Sequence, residues 1–216
     1  MRLRTPARLR AIAVAAAVVL AAPVVAHQAA QLPGSADVSR VTAGTYAVDP
    51  GHTLIGWRVN HFGFNDYFGL FGDSTGTLTI DPARPGDAKV DITIPVRLVT
   101  TANAALTGHL LKPGQDGKPA DFFGPAPADA RFVSKRVTVN GTTAAILGDL
   151  TLNGVTRPVT LDAKFTGAGA NPYNKKETIG FAATAEIKRS DFGIAYGIPM
   201  VSDAVQLDIT AAFEKQ

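Results

Sequence analysis

Few side chains in this 216-residue chain could carry chemistry. Apart from His27 near the start, its histidines are His52, His61 and His109, and it has no cysteine. Three histidines could hold zinc with a fourth position open. Here the first two are separated by eight residues and the third is distant, so the close spacing of such sites is missing and no metal is expected. Ser134, Ser190 and Ser202 stand in no Gly-x-Ser-x-Gly elbow, and there is no thiolate nucleophile. No Gly-rich loop joins a strand to a helix, so no nucleotide cofactor is expected, nor any other. His61 and His109 remain as hydrogen-bonding or acid–base groups. Arg189 and Asp191 suit the fixing of a turn, and Arg157 stands out for its position.

Arg157 lies in Gly148–Leu161, two alternating runs around Asn153-Gly154, the strongest short-range hairpin signal because both turn residues tolerate positive φ. Pairing Leu152 with Val155 puts Leu150, Leu152, Val155, Val159 and Leu161 on one side and Asp149, Thr151, Thr156, Thr160 and Asp162 on the other. Pro158 then falls opposite Asp149 at a non-hydrogen-bonded position, where its missing N–H breaks no bond. Arg157 is the one charge on the apolar side. It would be costly there unless it pairs with Asp149, Asp162 or Glu186, or reaches a rim where it could meet an anionic head group.

The elements around these residues read as strands. Ile55, Trp57, Val59 and His61 alternate with polar neighbours, as do Leu78 and Ile80. Val90, Ile92, Ile94, Val96 and Leu98 form the clearest period-two row, with Pro95 suggesting an edge or bulge. Residues 132–139 alternate into Asn140-Gly141, a second candidate type I′ turn, and 143–152 lead into the Asn153-Gly154 hairpin. Ile179 to Ile187 and Val205 to Phe213 complete the set. Only Ala102–Leu111 has a helical period, and the Pro- and Gly-rich stretch 112–130 carries Phe122-Phe123, two rings that need cover. About eight short strands with one helical insertion fit an all-β antiparallel barrel or sandwich of one domain. The apolar faces of the strands point inward, since the girdles of Tyr and Trp expected of an outer-membrane barrel are missing.

Residues 1–26 have the pattern of a secretory signal peptide: Arg2, Arg4, Arg8 and Arg10, an apolar run from Ala11 to Ala22, then small residues before His27. Residues 27–44 show no period and suggest a flexible leader, which leaves 45–216 as the folded domain. The first 26 residues hold four of the 21 Lys and Arg and none of the 18 acids, so the remainder is close to neutral. A nucleic-acid partner loses its support, because no basic surplus is left to neutralise phosphates. The expected home is the periplasm.

Many short segments in order give a family resemblance. They are Tyr46–Thr53, Trp57–Phe64, Phe68–Gly72, Gly76–Leu78, Gly108–Leu110, Asp121–Phe123, Arg131–Ser134, Gly148–Leu161 and Arg189–Ile194. Together they resemble the YceI-like family of periplasmic polyisoprenoid-binding proteins from about residue 45 to the C-terminus. The resemblance implies an extended lipocalin-like barrel whose apolar pore holds an isoprenoid or similar long-chain amphiphile, with no catalysis. The chain departs from the family pattern at Gly108, where an acidic residue precedes the histidine, and in the insertion Pro113–Ala120.

An apolar tail needs a continuous tunnel, since each buried CH₂ contributes roughly 0.8 kcal/mol. The candidate lining is Ile55, Trp57, Val59, Phe62, Phe64, Phe68, Phe71, Leu98, Leu106, Leu110, Phe122, Phe123, Phe132 and Phe181, with His61, His109 and Arg157 as head-group contacts at the mouth. Small residues Ala182, Ala183 and Ala185 beside Phe181 suggest spare volume. The partner is thus a long-chain apolar small molecule, with transient membrane contact during exchange and a homodimer through edge strands as further expectations. Two other functions stay open: an enzyme of isoprenoid or fatty-amide metabolism using His61 or His109, and a stress-response interaction protein with a filled core.

Overall fold

The computed structural model describes residues 32–216; the segment 1–26, read above as a signal peptide, and the first residues of the expected leader lie outside them. Ten strands form one antiparallel sheet: β1 (Gly44–Val48), β2 (Leu54–His61), β3 (Asn65–Phe71), β4 (Thr75–Ile80), β5 (Lys89–Ile94), β6 (Ala130–Asn140), β7 (Thr143–Leu152), β8 (Val155–Ala170), β9 (Glu177–Lys188) and β10 (Ala204–Lys215). Their order is β1-β4-β5-β6-β7-β8-β9-β10-β2-β3, and a further pairing of β1 with β10 closes the circle. One end of β10 pairs with β1 (Val48 opposite Phe213) and the other with β2 (Ile55 opposite Ile209). So β1 with β2, and β3 with β4, each behave as one interrupted strand. The result is a closed antiparallel barrel of eight strand positions with one helix.

The turns follow from local chemistry. Asn153 and Gly154 take φ of 50° and 75°, Leu152 pairs with Val155 and Asp149 with Pro158, as the alternation predicts. The second hairpin differs by one residue: Asn140 pairs with Thr143, so Gly141-Thr142 occupy the turn centre. Gly141 has φ 59° and Thr142 no positive φ, the type II′ arrangement with glycine first. At the β2–β3 tip, Phe62 adopts φ 57° and Gly63 73°, and Phe64 N–H donates to the His61 carbonyl at 3.1 Å. A bulky residue in this left-handed conformation is uncommon and strained.

The row Val90–Leu98 ends earlier than the alternation suggests. β5 stops at Ile94, and Val96–Leu98 form a 3₁₀ turn behind Pro95, whose fixed φ and missing N–H cannot extend the ladder. The space beyond β5 is filled by helix α1 (Ala104–Leu110) and the loop after it. Asn103 caps α1, its side chain accepting the Leu106 N–H at 3.1 Å.

Residues 35–42, within the stretch assigned to a leader, form a strap on the far end of the barrel. Ser35 and Ala168 exchange both backbone hydrogen bonds (3.1 and 2.9 Å), and Val41 is buried in the core with Tyr46, Val48 and Leu78. A Cβ on Gly169 would come within 2.1 Å of the Pro33 carbonyl, so glycine there lets the backbones approach. Thr42 donates to the Glu177 carboxylate from its N–H (2.8 Å) and its hydroxyl (2.6 Å). The Tyr46 hydroxyl adds a third contact at 2.6 Å.

Candidate functional site

Inward-facing residues of the strands enclose two apolar chambers placed end to end. The upper one, about 740 Å³, lies under the β2–β3 tip, α1 and the connection from β9 to β10. The lower one, about 320 Å³, reaches toward the strap and the β6–β7 turn. Ile55, Ile94, Leu150 and Leu207 line both and form a collar between them.

The strand alternation explains most of the lining. Of the residues expected to face the ligand, Trp57, Val59, His61, Phe62, Phe71, Leu106, His109, Leu110, Phe122 and Phe123 line the upper chamber. Phe132 and Phe181 line the lower one, and Ile55 both. Ala183, with Ala144, Ala163 and Ala211, supplies the open space below the collar. Ala185 instead packs on the upper core cluster that includes Val205, opposite Leu207 on β10. Glycines make room for rings: a Cβ on Gly69 would overlap the Trp57 indole at 2.0 Å, and one on Gly148 would meet Phe132 at 2.4 Å.

Four expected residues lie elsewhere. On β3, Phe68 faces outward beside Leu70 while Tyr67, Gly69 and Phe71 alternate inward; Phe68 is 60% exposed, with Arg58 over its ring at 5.6 Å. Phe64, 88% exposed, projects from the hairpin tip beyond the barrel wall. Leu98 lies on the 3₁₀ turn after Pro95 and lines neither chamber, because the row it would have continued ends at Ile94. Arg157 is opposite Leu150, as expected, but β9 pairs with β8 only from Asp162 onward, so this end of β8 stands above the lumen. Arg157 is exposed, bonds to the Thr156 carbonyl at 3.0 Å, and forms none of the expected ion pairs. Asp149 pairs instead with Lys135 at 2.6 Å.

Polar groups concentrate at the upper mouth. His109 Nε2 is 3.5 Å from the Asp121 carboxylate, and its ring meets Phe122 and Tyr196 at 5.4 and 5.7 Å. The position before His109 is open, for a Cβ on Gly108 would touch nothing. The carboxylate near His109 therefore comes from the next loop. His61 packs edge-on to Phe62 at 4.2 Å, while His52 lies outside, bonded to Asp49 at 2.7 Å. Among the described residues no three such groups converge as metal ligands.

Sequence periodicity missed one wall of the mouth. Ile194, Tyr196, Met200 and Val201 come from the β9–β10 connection, an apolar run without strand alternation. Arg189, just after β9, holds that wall in place. It is 5% exposed, and its guanidinium donates to the carbonyls of Ser202, Ile194, Tyr196 and Val201 at 2.8–3.0 Å. Burial lowers its pKa, with the Asp203 charge opposing. Arg189 thus fixes turns, as its neighbourhood in the sequence suggests, and does so for the wall of the site.

The arrangement can bury a long apolar chain and present imidazole, carboxylate and phenol groups to a polar end. The YceI-like domain model matches residues 46–213. Protein YceI of Escherichia coli O17:K52:H18 is 38% identical over 171 residues, covering 78% of this chain and 85% of its own. Among solved structures, the Campylobacter jejuni YceI protein (a variant carrying a monobromobimane guest) is 30% identical, with TM-score 0.61, over 73% of this chain and 90% of that one. A polyisoprenoid binding domain from Saccharophagus degradans shares the fold at 16% identity and TM-score 0.55, over 79% and 98%. With the family model spanning the barrel from β1 to β10, the chain belongs to the YceI-like domain family.

Proposed function

We propose that this protein is a non-catalytic carrier that holds a polyisoprenoid or similar long-chain amphiphile in its tunnel. The observation that carries this reading is the pair of abutting chambers, whose lining is almost wholly apolar over the depth of the barrel. Apolar volume of this size disfavours water, which needs several polar partners to stay. An isoprenoid tail supplies the missing contacts, and His109, Asp121, Tyr196 and His61 meet the head. The fold likeness to a domain described as polyisoprenoid binding supports the same class. The N-terminal pattern of residues 1–26 supports a periplasmic home.

Exchange takes place at a membrane. Phe62, Tyr196 and Met200 line the upper chamber and are also exposed, with Phe64 beyond them. The mouth thereby offers a lipid an apolar edge beside its polar groups.

Protein isolated from the periplasm and extracted with organic solvent, alongside native mass spectrometry, tests the proposal. A stoichiometric prenyl-chain lipid is expected. An interior without ligand would support the filled-core interaction protein instead. Turnover of a bound prenyl diphosphate, abolished in His109→Ala while binding persists, would support the enzyme.

A further inference from the structure

We infer that the lower chamber is the length gauge of the tunnel: the end of the tail passes the collar, and Ala183 and Phe181 set how long a chain is accepted. This rests on the carrier reading above. The two chambers share Ile55, Ile94, Leu150 and Leu207, so they abut at this collar, the point through which a chain leaving the upper one would pass. Ala183 sits at that threshold. It is opposite Ile209 on β10, which is in turn opposite Ile55 of the collar on β2. Its methyl group leaves room there that any larger side chain would take.

Two residues further along the same face of β9, Phe181 is in the lower wall. Its ring meets Phe165 at 5.9 Å and Phe213 at 6.1 Å, both edge to face. Behind these three rings the core is closed: Ile179 and Tyr46 have no exposed surface, and Ala168 has 1%. A chain descending along β9 therefore meets the Phe181 ring as its floor, and the rest of the chamber lies to the side, toward Val38 and the β6–β7 turn. Packed cores deform little, so the floor holds its position.

Replacing Phe181 with alanine removes six ring carbons, enough to admit one more five-carbon isoprene unit. Replacing Ala183 with phenylalanine puts a ring in the passage and confines the tail to the upper chamber. The experiment is a native mass spectrometry competition with a ladder of prenyl alcohols, from farnesol to solanesol, on wild type, F181A and A183F. Thermal unfolding checks each fold, and A183L serves if A183F does not fold.

The expected result is opposite shifts: F181A prefers a chain about one isoprene unit longer, and A183F loses at least tenfold in affinity for the longest alcohols while keeping the shortest. An unchanged length preference in both folded variants would overturn the gauge and leave the carrier reading standing. If wild type takes no prenyl alcohol of any length, the carrier reading itself fails.

Discussion

Glu177 shows how one carboxylate fastens the end of a barrel. Burial pushes its pKa up, but hydrogen bonds from Thr42 and Tyr46 and the Lys215 charge outweigh that and hold it below the ordinary glutamate value. Its partner Tyr46 goes the other way, pushed up to about 12 by burial and by the bond to Glu177. The signs differ accordingly. Glu177 stabilises the fold above the usual carboxylate range, and that contribution is lost as pH falls through its depressed value. Tyr46 stabilises below about pH 10, its unfolded pKa, and loses its contribution as pH rises toward 12. Glu177→Gln should cost about 1.5–3 kcal/mol, the scale of bonds to a charged acceptor, and flatten the acid limb of urea midpoint against pH. An acid limb as steep as that of wild type would remove Glu177 from this role. Little of this is legible in the sequence, because Thr42 and Glu177 lie 135 positions apart and only the folded chain joins them.

At the scale of elements, strands with one polar face announce themselves and the other elements do not. The Asn153-Gly154 hairpin is readable to the register, since its turn chemistry and its alternation agree. β3 is not: Tyr67, Phe68, Leu70 and Phe71 put apolar groups on both faces, so residue type alone misplaced Phe68. The wall formed by residues 194–201 has no period at all and depends on Arg189 for its shape. Arg189→Met should strip four carbonyls of their donor and cost at least about 3 kcal/mol, given roughly 1–3 kcal/mol for each buried group left unpaired. Hydrogen exchange should accelerate across 194–203 well before the β7–β8 amides respond, and bound ligand should leave faster. Arg189→Lys cannot rescue it, because one ammonium cannot reach carbonyls fanned around a planar fork. Uniform acceleration across the whole barrel would mean that Arg189 serves global stability alone.

For the whole molecule, the question raised by the carrier reading is how a lipid would enter a closed barrel. The apolar rim gives a kinetic prediction. Phe64→Asp, at an 88% exposed position, should leave stability within about 0.5 kcal/mol. It should slow transfer of a prenyl lipid from phosphatidylethanolamine–phosphatidylglycerol vesicles several-fold without changing affinity in detergent. Equal transfer rates would sink membrane contact through this tip. The barrel was legible because period-two rows repeat along the chain, and α1 because its period differs. β1 and β3 were not legible this way, and ten strands make eight positions only because two pairs act as interrupted strands. Its division into chambers was not, since volume depends on which small residues meet across strands, as Ala183, Ala163 and Ala211 do.

The seam between β1 and β10 has a consequence for synthesis. It registers Tyr46 with Lys215 and Val48 with Phe213, so the first strand of the barrel pairs with the last. A chain still emerging from the ribosome has no wall to complete the cylinder, however long its other strands have been available. Pairing across such a sequence separation carries a large loop-closure cost and makes folding slow. A half-made molecule therefore offers only a curved sheet with its greasy side in water, the state that chaperones guard. On the carrier reading, cargo enters only once β10 has closed the cylinder against β1.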